Sequence, residues 1–492
     1  MDFFTGAFQP EAILANFIGV GLGIIFGILP GLTSTMAIAL IIPLTFGMSP
    51  DIAFSALLGV YVGSIYAGSI TAILISTPGT PAAAATLLEG PKLASRGHAG
   101  KALSMTTVAS FVGGIFSCVM LAILAPRLAS FALSFGPPEY FALGFFGLSV
   151  VAGLSSGSVL KGLISGLVGM FVATIGIDPV SGTIRNTMDI PELISGFNIT
   201  PALVGLFAIS QVALKLEDQI NDSGLTQKIK STFDRISIKE LLGNIPNMVR
   251  SSAIGTFVGI IPATGSGTAS YIAYNECKRF SSKEQKSKFG TGHIDGLAAT
   301  ESANNAVTGG ALIPLLTLGI PGDVVTAVLL GGILLQGLTP GPLLFVQSPD
   351  VVESIYWALL LANIFMLGIG LLAVKYIAKI VSVPSQILMP IIVVLCVLGS
   401  YSVNNSEFDV FVMLLFGVLG YFMEKLKFPL PPLLLGFILS PIVEENFRKS
   451  MVMSMNDVTI FLERPISLAI LLVTFAVFMR IIWTATTKKS NK

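Results

Sequence analysis

Charged side chains are scarce in this chain of 492 residues. Asp, Glu, Lys and Arg make up 11% of the sequence and hydrophobic residues 53%, whereas about 25% of a soluble protein is charged. Apolar runs of about 20 residues, enough to cross a bilayer as a helix, recur from end to end. They are continuous, which excludes the short alternating strands of a membrane barrel. The composition therefore predicts an all-α polytopic membrane protein.

Cysteine and histidine are also nearly absent. Cys118, Cys277, Cys396, His98 and His293 stand singly, without the paired spacing of a zinc or redox site. The net charge of +1 excludes the basic surface of a nucleic-acid-binding protein. No Walker-type phosphate loop occurs, so we expect no ATP hydrolysis. We expect no cofactor and no metal, apart from a coupling ion if the chain is a transporter.

Basic residues are missing from the first part of the chain, where the first Lys or Arg is Lys92. A signal peptide needs a basic n-region, so we expect no cleavable signal. Loops that carry Lys and Arg stay in the cytoplasm, which predicts an outside N-terminus. The runs between the basic loops predict ordinary spans near 103–125, 138–156, 158–177, 200–215, 354–374, 385–402, 409–423, 429–443 and 465–484.

One long polar segment divides the chain near its middle. It contains six Lys or Arg and five Asp or Glu residues between positions 215 and 250. We therefore predict a first membrane repeat at 1–214, a cytoplasmic linker at 215–249, a second repeat at 250–425 and C-terminal helices at 426–492. The first repeat enters the membrane from outside and the second from inside, so the two repeats are predicted to be inverted.

A proline-broken pattern occurs twice, once in each half. The first copy, GIIFGILPGLTSTMAIAL at 23–40, breaks at Pro30, and the second, GTFVGIIPATGSGTASYIAY at 255–274, breaks at Pro262. A second break follows in each half, at Pro78 and Pro321. Broken hydrophobic segments at corresponding places in two halves are a sequence signal for a transporter's binding site.

The apolar stretches beyond the first breaks, 36–46 and 268–275, are too short to span a bilayer. We predict that both are re-entrant hairpins, in addition to about 10–12 transmembrane helices. Irregular backbone at membrane depth must be buried in protein or line a wet cavity. A half-helix that starts there directs its positive end at a ligand, which suits a carboxylate.

These features give a predicted substrate site at the two hairpin tips and the second breaks. Glycine allows close approach of the backbone to a ligand, and hydroxyl and amide groups can bind a carboxylate. The predicted substrate-binding residues are Pro30, Gly31, Thr33, Ser34, Ser76, Thr77, Gly79, Thr264, Gly265, Ser266, Asn304, Asn305 and Gly322.

The most polar segment within an apolar run is TESANNAVTGGALIPLL, which contains Glu301. Ionisable groups in a span are functional candidates by default, and the predicted cation or coupling residues are Thr33, Glu301, Ser302, Asn304 and Asp323. Glu301 can bind Na⁺, carry a coupled proton or cap the helix that follows it. Asp323 is a good N-cap residue. Capping and a role in binding an ion or a proton are the two alternatives for this residue.

Other readings of the same residues stay open. Gly59, Gly63 and Gly68 favour close helix packing, and Tyr61 and Tyr66 either line the cavity or fill it.

An intramembrane enzyme could use Ser266 or Asp323, although neither has an evident base or a second acid. A channel would need rings of ligands from an oligomer.

At these residues the chain resembles the large membrane subunit of the tripartite tricarboxylate transporter family. The matching segments are GILPGLTSTMAIALIIPLTF, YVGSIYAGSITAILISTPGTPAAAATLLEGPKLASRGHAGKAL, GTGHIDGLAATESANNAVTGGALIPLLTLGIPGD, LLQGLTPGPLLF and FPLPPLLLGFILSPIVEENFRKSM. The resemblance implies a secondary transporter that takes up carboxylates such as citrate with Na⁺ or H⁺, by an elevator-type movement of the hairpin tips against a scaffold.

The resemblance also implies two protein partners, a small membrane subunit and an extracytoplasmic (periplasmic) solute-binding protein, and a place in the cytoplasmic (inner) membrane of a bacterium. Oligomeric state is left open. Two positions depart from the family pattern. Ala263 stands where the family usually has Gly, and Asp323 stands where a small hydroxyl residue is usual.

Overall fold

The computed structural model describes residues 6–29, 32–153, 158–178, 180–221, 236–262, 264–380 and 385–490. In these ranges the chain is mostly helical. The α-helices of the first half are α1 (Pro10–Ile28), α2 (Ser34–Ile41), α3 (Pro50–Ile75), α4 (Gly90–Leu93), α5 (Ala99–Ala132), α6 (Pro137–Gly153), α7 (Val159–Ala173), α8 (Ile199–Val204) and α9 (Ser210–Asn221).

The second half has twelve described α-helices. They are α10 (Ile238–Ile260), α11 (Gly265–Phe280), α12 (Lys283–Lys286), α13 (Ile294–Leu318), α14 (Val324–Leu335), α15 (Leu344–Gln347), α16 (Pro349–Ile380), α17 (Ser385–Asn404), α18 (Glu407–Lys425), α19 (Leu430–Met453), α20 (Ile460–Glu463) and α21 (Pro465–Ser490).

Shorter elements connect these helices. Two short strands, β1 (Gly176–Ile177) and β2 (Ile184–Arg185), pair antiparallel. Among the described residues, the 3-10 helices are Pro43–Thr45, Pro81–Leu88 and Pro191–Leu193, and Gly205–Ile209 is a π-helical turn. The segment Ala94–His98 joins α4 to α5 through a kink at Gly97, whose φ is +89°.

The helices confirm the predicted class of membrane protein. Each of the nine predicted spans overlaps a helix or a run of joined helices, although the span 158–177 extends past the end of α7 into β1. Five helical segments of the described residues are long and apolar enough to cross a bilayer: Pro10–Ile28, Pro50–Ile75, Gly90–Ala132, Ile199–Glu217 and Pro349–Leu372. Helix α10 begins at Ile238, so its first turns fall within the segment predicted as a linker.

The chain forms two compact units, each made of two stretches of sequence. The first unit consists of residues 1–129 and 211–403, and the second of residues 130–210 and 404–492. All the predicted site residues belong to the first unit. The division into two inverted repeats, a linker and C-terminal helices stays a prediction.

In the first unit, α1 packs along α3 through glycine, as predicted for Gly59 and Gly63. A Cβ atom on Gly59 would lie 2.5 Å from the carbonyl oxygen of Asn16, and one on Gly63 would lie 2.5 Å from that of Val20. Helix α10 approaches α13 in the same way, because a Cβ atom on Gly255 would lie 2.3 Å from the carbonyl oxygen of Ala303. Such contacts let two backbones approach closely.

In the second unit, an ion-pair network ties the β1–β2 hairpin to α19. The Arg185 guanidinium donates to both carboxylate oxygens of Glu444, at 2.7 and 2.8 Å, and to Asp178 at 3.0 Å. Arg448 donates to the same Asp178 oxygen at 2.8 Å. The backbone N–H groups of Ser181 and Val180, and then Arg448, lower the pKa of Asp178 to about 2. The hairpin is thereby fixed to the helix.

Candidate functional site

Helix α13 carries the most polar of the predicted site residues in its interior. Glu301, Ser302, Asn304 and Asn305 are all at most 1% exposed. The helix begins at Ile294, and His293 is its N-cap. The small residues of HIDGLAAT, which precede the polar segment, are therefore already helical. Glu301 therefore lies two turns inside the helix, and the interpretation that it caps the following helix is wrong.

The Glu301 carboxylate is held by two hydroxyl groups from other elements. Ser69 on α3 donates to one carboxylate oxygen at 2.7 Å, and Thr86 on the 3-10 helix Pro81–Leu88 donates to the other. Within the described residues Glu301 forms no ion pair. A buried carboxylate without a cation is costly, so this group needs a proton or a bound cation to balance it.

Asn304 and Asn305 have hydrogen-bonding capacity that the described residues do not use. The side-chain oxygen and nitrogen of both amides are buried, and none of the four atoms has a partner among those residues. Most buried polar groups are hydrogen-bonded, and leaving one unpaired costs about 1–3 kcal/mol. Adjacent unpaired amides next to a buried carboxylate are the arrangement that a polar ligand would satisfy.

Ser302 has a different role from its neighbours. Its hydroxyl donates to the carbonyl oxygen of Ala109 on α5 at 3.0 Å, and a Cβ atom on Gly113 would lie 2.1 Å from the carbonyl oxygen of Ser302. The residue joins α13 to α5. Its predicted part in cation binding stays a prediction.

The first break ends at α2, which starts with two of the predicted site residues. Thr33 is the N-cap, and its hydroxyl oxygen accepts from the N–H of Met36 at 3.2 Å. Ser34 is 2% exposed, and its hydroxyl has no partner among the described residues. Pro30 and Gly31 lie outside the described residues, so the segment after the first break is described only from Leu32 onward.

The corresponding break in the second half ends at α11. The Thr264 hydroxyl shares its proton between the carbonyl oxygens of Val258 and Ile261, at the C-terminal end of α10. Gly265 has a φ of +70°, which a residue with a Cβ atom adopts at a cost. Ser266 is 7% exposed in the first turn. Ala263 lies outside the described residues.

The two second breaks pack in matching ways. A Cβ atom on Gly79 would lie 2.2 Å from the carbonyl oxygen of Gly27, and one on Gly322 would lie 2.3 Å from that of Gly259. Gly27 and Gly259 each stand three residues before the proline of the first break in their half. In each half the second break therefore packs against the end of the helix that precedes the first break.

Ser76 and Thr77 differ from the other predicted site residues because they are exposed. Ser76 ends α3 in a left-handed conformation, with a φ of 56°. The Thr77 hydroxyl reaches only the carbonyl oxygen of Ile75, at 3.4 Å. The structure does not bring these two side chains to Glu301, Asn304 or Asn305.

Asp323 is the N-cap of α14. One of its carboxylate oxygens accepts from the Thr326 N–H at 2.7 Å, and the other accepts from the Tyr61 hydroxyl at 3.2 Å. The bond from Thr326 is the one that the capping interpretation predicts, whereas the bond from Tyr61 links Asp323 to α3. Tyr61 and Tyr66 are fully buried; the Tyr66 hydroxyl is 2.7 Å from that of Thr107.

Sequence reasoning missed another buried carboxylate of the first unit, Glu89. It accepts from the backbone N–H groups of Gly290, Gly292 and His293 and from the Tyr274 hydroxyl, the last three at 2.7 Å. The sequence could have indicated this residue, because an acidic side chain directly after the apolar run AAAATLL is a candidate for burial. Sequence reasoning also left out Thr86, whose hydroxyl binds Glu301.

Comparison with known proteins adds family information to this geometry. Residues 13–435 match the family model described as "Tripartite tricarboxylate transporter TctA family". The chain is 37% identical over 474 residues, 96% of its length, to 93% of a protein of Agrobacterium vitis described as "Uncharacterized 52.8 kDa protein in TAR-I ttuC' 3'region". Another Agrobacterium vitis protein, described as "Uncharacterized protein in TAR-II ttuC' 3'region", is 37% identical over 217 residues, which are 44% of this chain and 89% of that protein. No solved structure matches the chain.

Proposed function

Because the chain belongs to the tripartite tricarboxylate transporter TctA family, we propose that it is the large membrane subunit of a binding-protein-dependent importer of organic carboxylates. Its substrates are di- and tricarboxylates such as citrate, and an ion gradient drives uptake. The supporting observation is the buried amide pair Asn304 and Asn305, with no partner among the described residues. Amide N–H groups donate to carboxylate oxygens, so a carboxylate substrate would satisfy them.

The helix ends at the two breaks support the same class of substrate. Helices α2 and α11 both begin just beyond a proline-broken segment, and the N-terminal end of a helix attracts anions. Ser34 and Ser266 stand in the first turns. In this proposal the two segments are re-entrant hairpins of inverted repeats, and the tips carry substrate across the membrane in an elevator-type movement.

The proposal includes two protein partners and a location. A small membrane subunit completes the membrane complex, and an extracytoplasmic binding protein delivers the carboxylate. The complex lies in the cytoplasmic membrane of a bacterium. The family match supports this arrangement, because tripartite transporters are defined by three components.

The test is uptake of labelled citrate and succinate into membrane vesicles that contain this chain and its small membrane subunit. The purified binding protein is added outside, and the control omits it. We expect saturable uptake that needs the binding protein and stops when ionophores collapse the Na⁺ and pH gradients. Uptake that continues by electrodiffusion, or no carboxylate uptake in the complete system, would overturn the proposal.

A further inference from the structure

Four side-chain groups that carry oxygen converge around the carboxylate of Glu301, which is the fifth member of the group. Ser69 and Thr86 donate to its two carboxylate oxygens. Ser110 on α5 and Asn304, one turn further along α13, also lie near the same carboxyl group, but outside regular hydrogen-bond geometry. The Ser110 hydroxyl and the Asn304 amide have no hydrogen-bond partner among the described residues.

All five side chains are buried to the same degree. Glu301, Ser69 and Ser110 are 0% exposed, Asn304 is 1% and Thr86 is 2%. They come from α3, the 3-10 helix Pro81–Leu88, α5 and α13, so four elements separated in sequence enclose one point. Groups fixed by several packed elements form a rigid site, unlike polar side chains on one exposed helix face.

We infer that the Glu301 carboxylate, the hydroxyl oxygens of Ser69, Thr86 and Ser110, and the amide oxygen of Asn304 form a binding site for Na⁺. Each group offers a hard oxygen. A hydroxyl that donates to the carboxylate can rotate and direct a lone pair at a cation instead. The inference rests on the proposed function in one respect only, that the bound ion is the coupling ion.

The charge of the site selects a monovalent ion. A single carboxylate balances one positive charge, and no other acidic side chain joins the group of five. Ca²⁺ sites use several carboxylates and six to eight oxygens, and Mg²⁺ keeps most of its water. Five protein oxygens suit Na⁺ better than K⁺, which is larger and takes more ligands.

The ligand set differs from the one predicted from sequence. Ser302 donates to Ala109 on α5, Thr33 accepts from Met36, and Asp323 caps α14. Each of these three therefore has a hydrogen-bond partner other than Glu301. In our assignment the ligands beside Glu301 and Asn304 are Ser69, Thr86 and Ser110.

Asn304 links this site to the substrate. Its amide offers an oxygen acceptor and a nitrogen donor. The oxygen faces the cation in our assignment, and the nitrogen is then available to a carboxylate that also contacts Asn305. One side chain thus contacts both ligands, and binding of the ion orients the amide for the anion.

The test measures ion binding to the purified full-length chain, without substrate or partner proteins. Radioactive ²²Na⁺ binding and the thermal midpoint are followed as NaCl replaces choline chloride at constant ionic strength, with KCl in a parallel series. We expect saturable ²²Na⁺ binding and a thermal midpoint that rises with Na⁺ more than with K⁺. No specific Na⁺ binding in the wild-type chain would overturn the inference, and a neutralising proton on Glu301 would then take its place.

Variants show whether these residues form the site. Thr86→Val keeps the side-chain shape and removes one oxygen, so we expect the Kd for Na⁺ to rise about tenfold, as for loss of a supporting ligand contact. Glu301→Gln is expected to abolish binding. Thr308→Val is the matched control, because Thr308 is buried on the same helix and donates only to Asn305's carbonyl oxygen. Size-exclusion profiles confirm folding, and unchanged Na⁺ binding in a folded Thr86→Val protein would contradict the ligand assignment.

The two proposals can fail separately. Carboxylate uptake without Na⁺ binding would reject the cation site and leave the importer in place. Na⁺ binding without carboxylate uptake in the complete vesicle system would reject the importer and leave the cation site in place.

Discussion

Gly322 lies directly against the end of helix α10, where a Cβ atom would stand 2.3 Å from the carbonyl oxygen of Gly259. We expect Gly322→Ala to destabilise the protein by about 2 kcal/mol, because the obstacle is backbone and forced overpacking costs about 1–3 kcal/mol. Gly79→Ala is expected to act similarly against Gly27. Thermal unfolding in detergent, followed by intrinsic fluorescence, measures the effect.

Gly21→Ala is the control for these two substitutions. Gly21 lies on helix α1, where nothing stands within 4 Å of its Cβ position, and alanine favours a helix over glycine. Its thermal midpoint should stay the same or rise. A Gly322→Ala protein as stable as the wild type would show that the second break is not seated as described.

The amides of Asn304 and Asn305 should be necessary for uptake but not for folding. Asn305→Ala removes a donor to a charged group, which is worth about 1.5–3 kcal/mol, so we expect the apparent affinity for citrate to fall about ten- to hundredfold. Asn304→Ala should reduce it at least as much. Concentration-dependent uptake in vesicles measures both.

Thr317→Val is the control on the same helix, because Thr317 is buried and donates to the carbonyl oxygen of Ile313. It should transport normally. Normal citrate affinity in Asn305→Ala would remove this residue from the substrate site.

Asp323 allows a test between capping and ion coupling. Asparagine is as good an N-cap as aspartate, whereas alanine costs about 1 kcal/mol. If the acid only caps α14, Asp323→Asn keeps stability and ion dependence, and Asp323→Ala lowers the thermal midpoint. An altered Na⁺ or pH dependence of uptake in Asp323→Asn would instead support a coupling role.

Na⁺ and citrate should each tighten the binding of the other. Asn304 is placed between them, and linkage requires the same factor in both directions. We expect a factor of about 5–150, the usual range for coupled sites, in equilibrium binding to the purified protein. Thr86→Val should weaken Na⁺ and keep citrate affinity at saturating Na⁺. Independent binding of the two ligands would contradict a shared side chain.

Acid should weaken the second unit through Asp178. The pKa of this carboxyl is about 2 in the folded protein, below its ordinary value of 3.8. The carboxylate contribution to stability is therefore complete above about pH 4 and is lost as the pH falls toward 2. Asp178→Asn should unfold at a lower temperature than the wild type at pH 7, with the difference shrinking in that acid range. The comparison is thermal unfolding at a series of pH values.

The regular helices could be predicted from the sequence because continuous apolar runs carry a local signal. Helix ends were harder. The apolar stretch 268–275 suggested a shorter segment than α11, which runs from Gly265 to Phe280, because a helix continues through polar residues once it leaves the apolar region. The same limitation explains why capping was among the three roles left open for Glu301, although α13 already begins at Ile294.

The candidate site was predicted in part. Glu301, Asn304 and Asn305 were visible as polar residues in an apolar run. Their partners were not, because Ser69 and Thr86 lie 232 and 215 residues from Glu301 in the chain. Periodicity describes neighbours along one helix and contains no information about which distant helix supplies a hydroxyl.

Thr86 and Glu89 stand three residues apart, and each faces a different part of α13 and its preceding loop. Thr86 donates a hydrogen bond to the Glu301 carboxylate. Glu89 accepts hydrogen bonds from the N–H groups of Gly290, Gly292 and His293. The short segment from Thr86 to Glu89 therefore connects the Glu301 carboxylate to the polar loop that precedes α13. We expect a fluorophore on the exposed Lys288 of that loop to report a movement of this segment without any label among the buried residues.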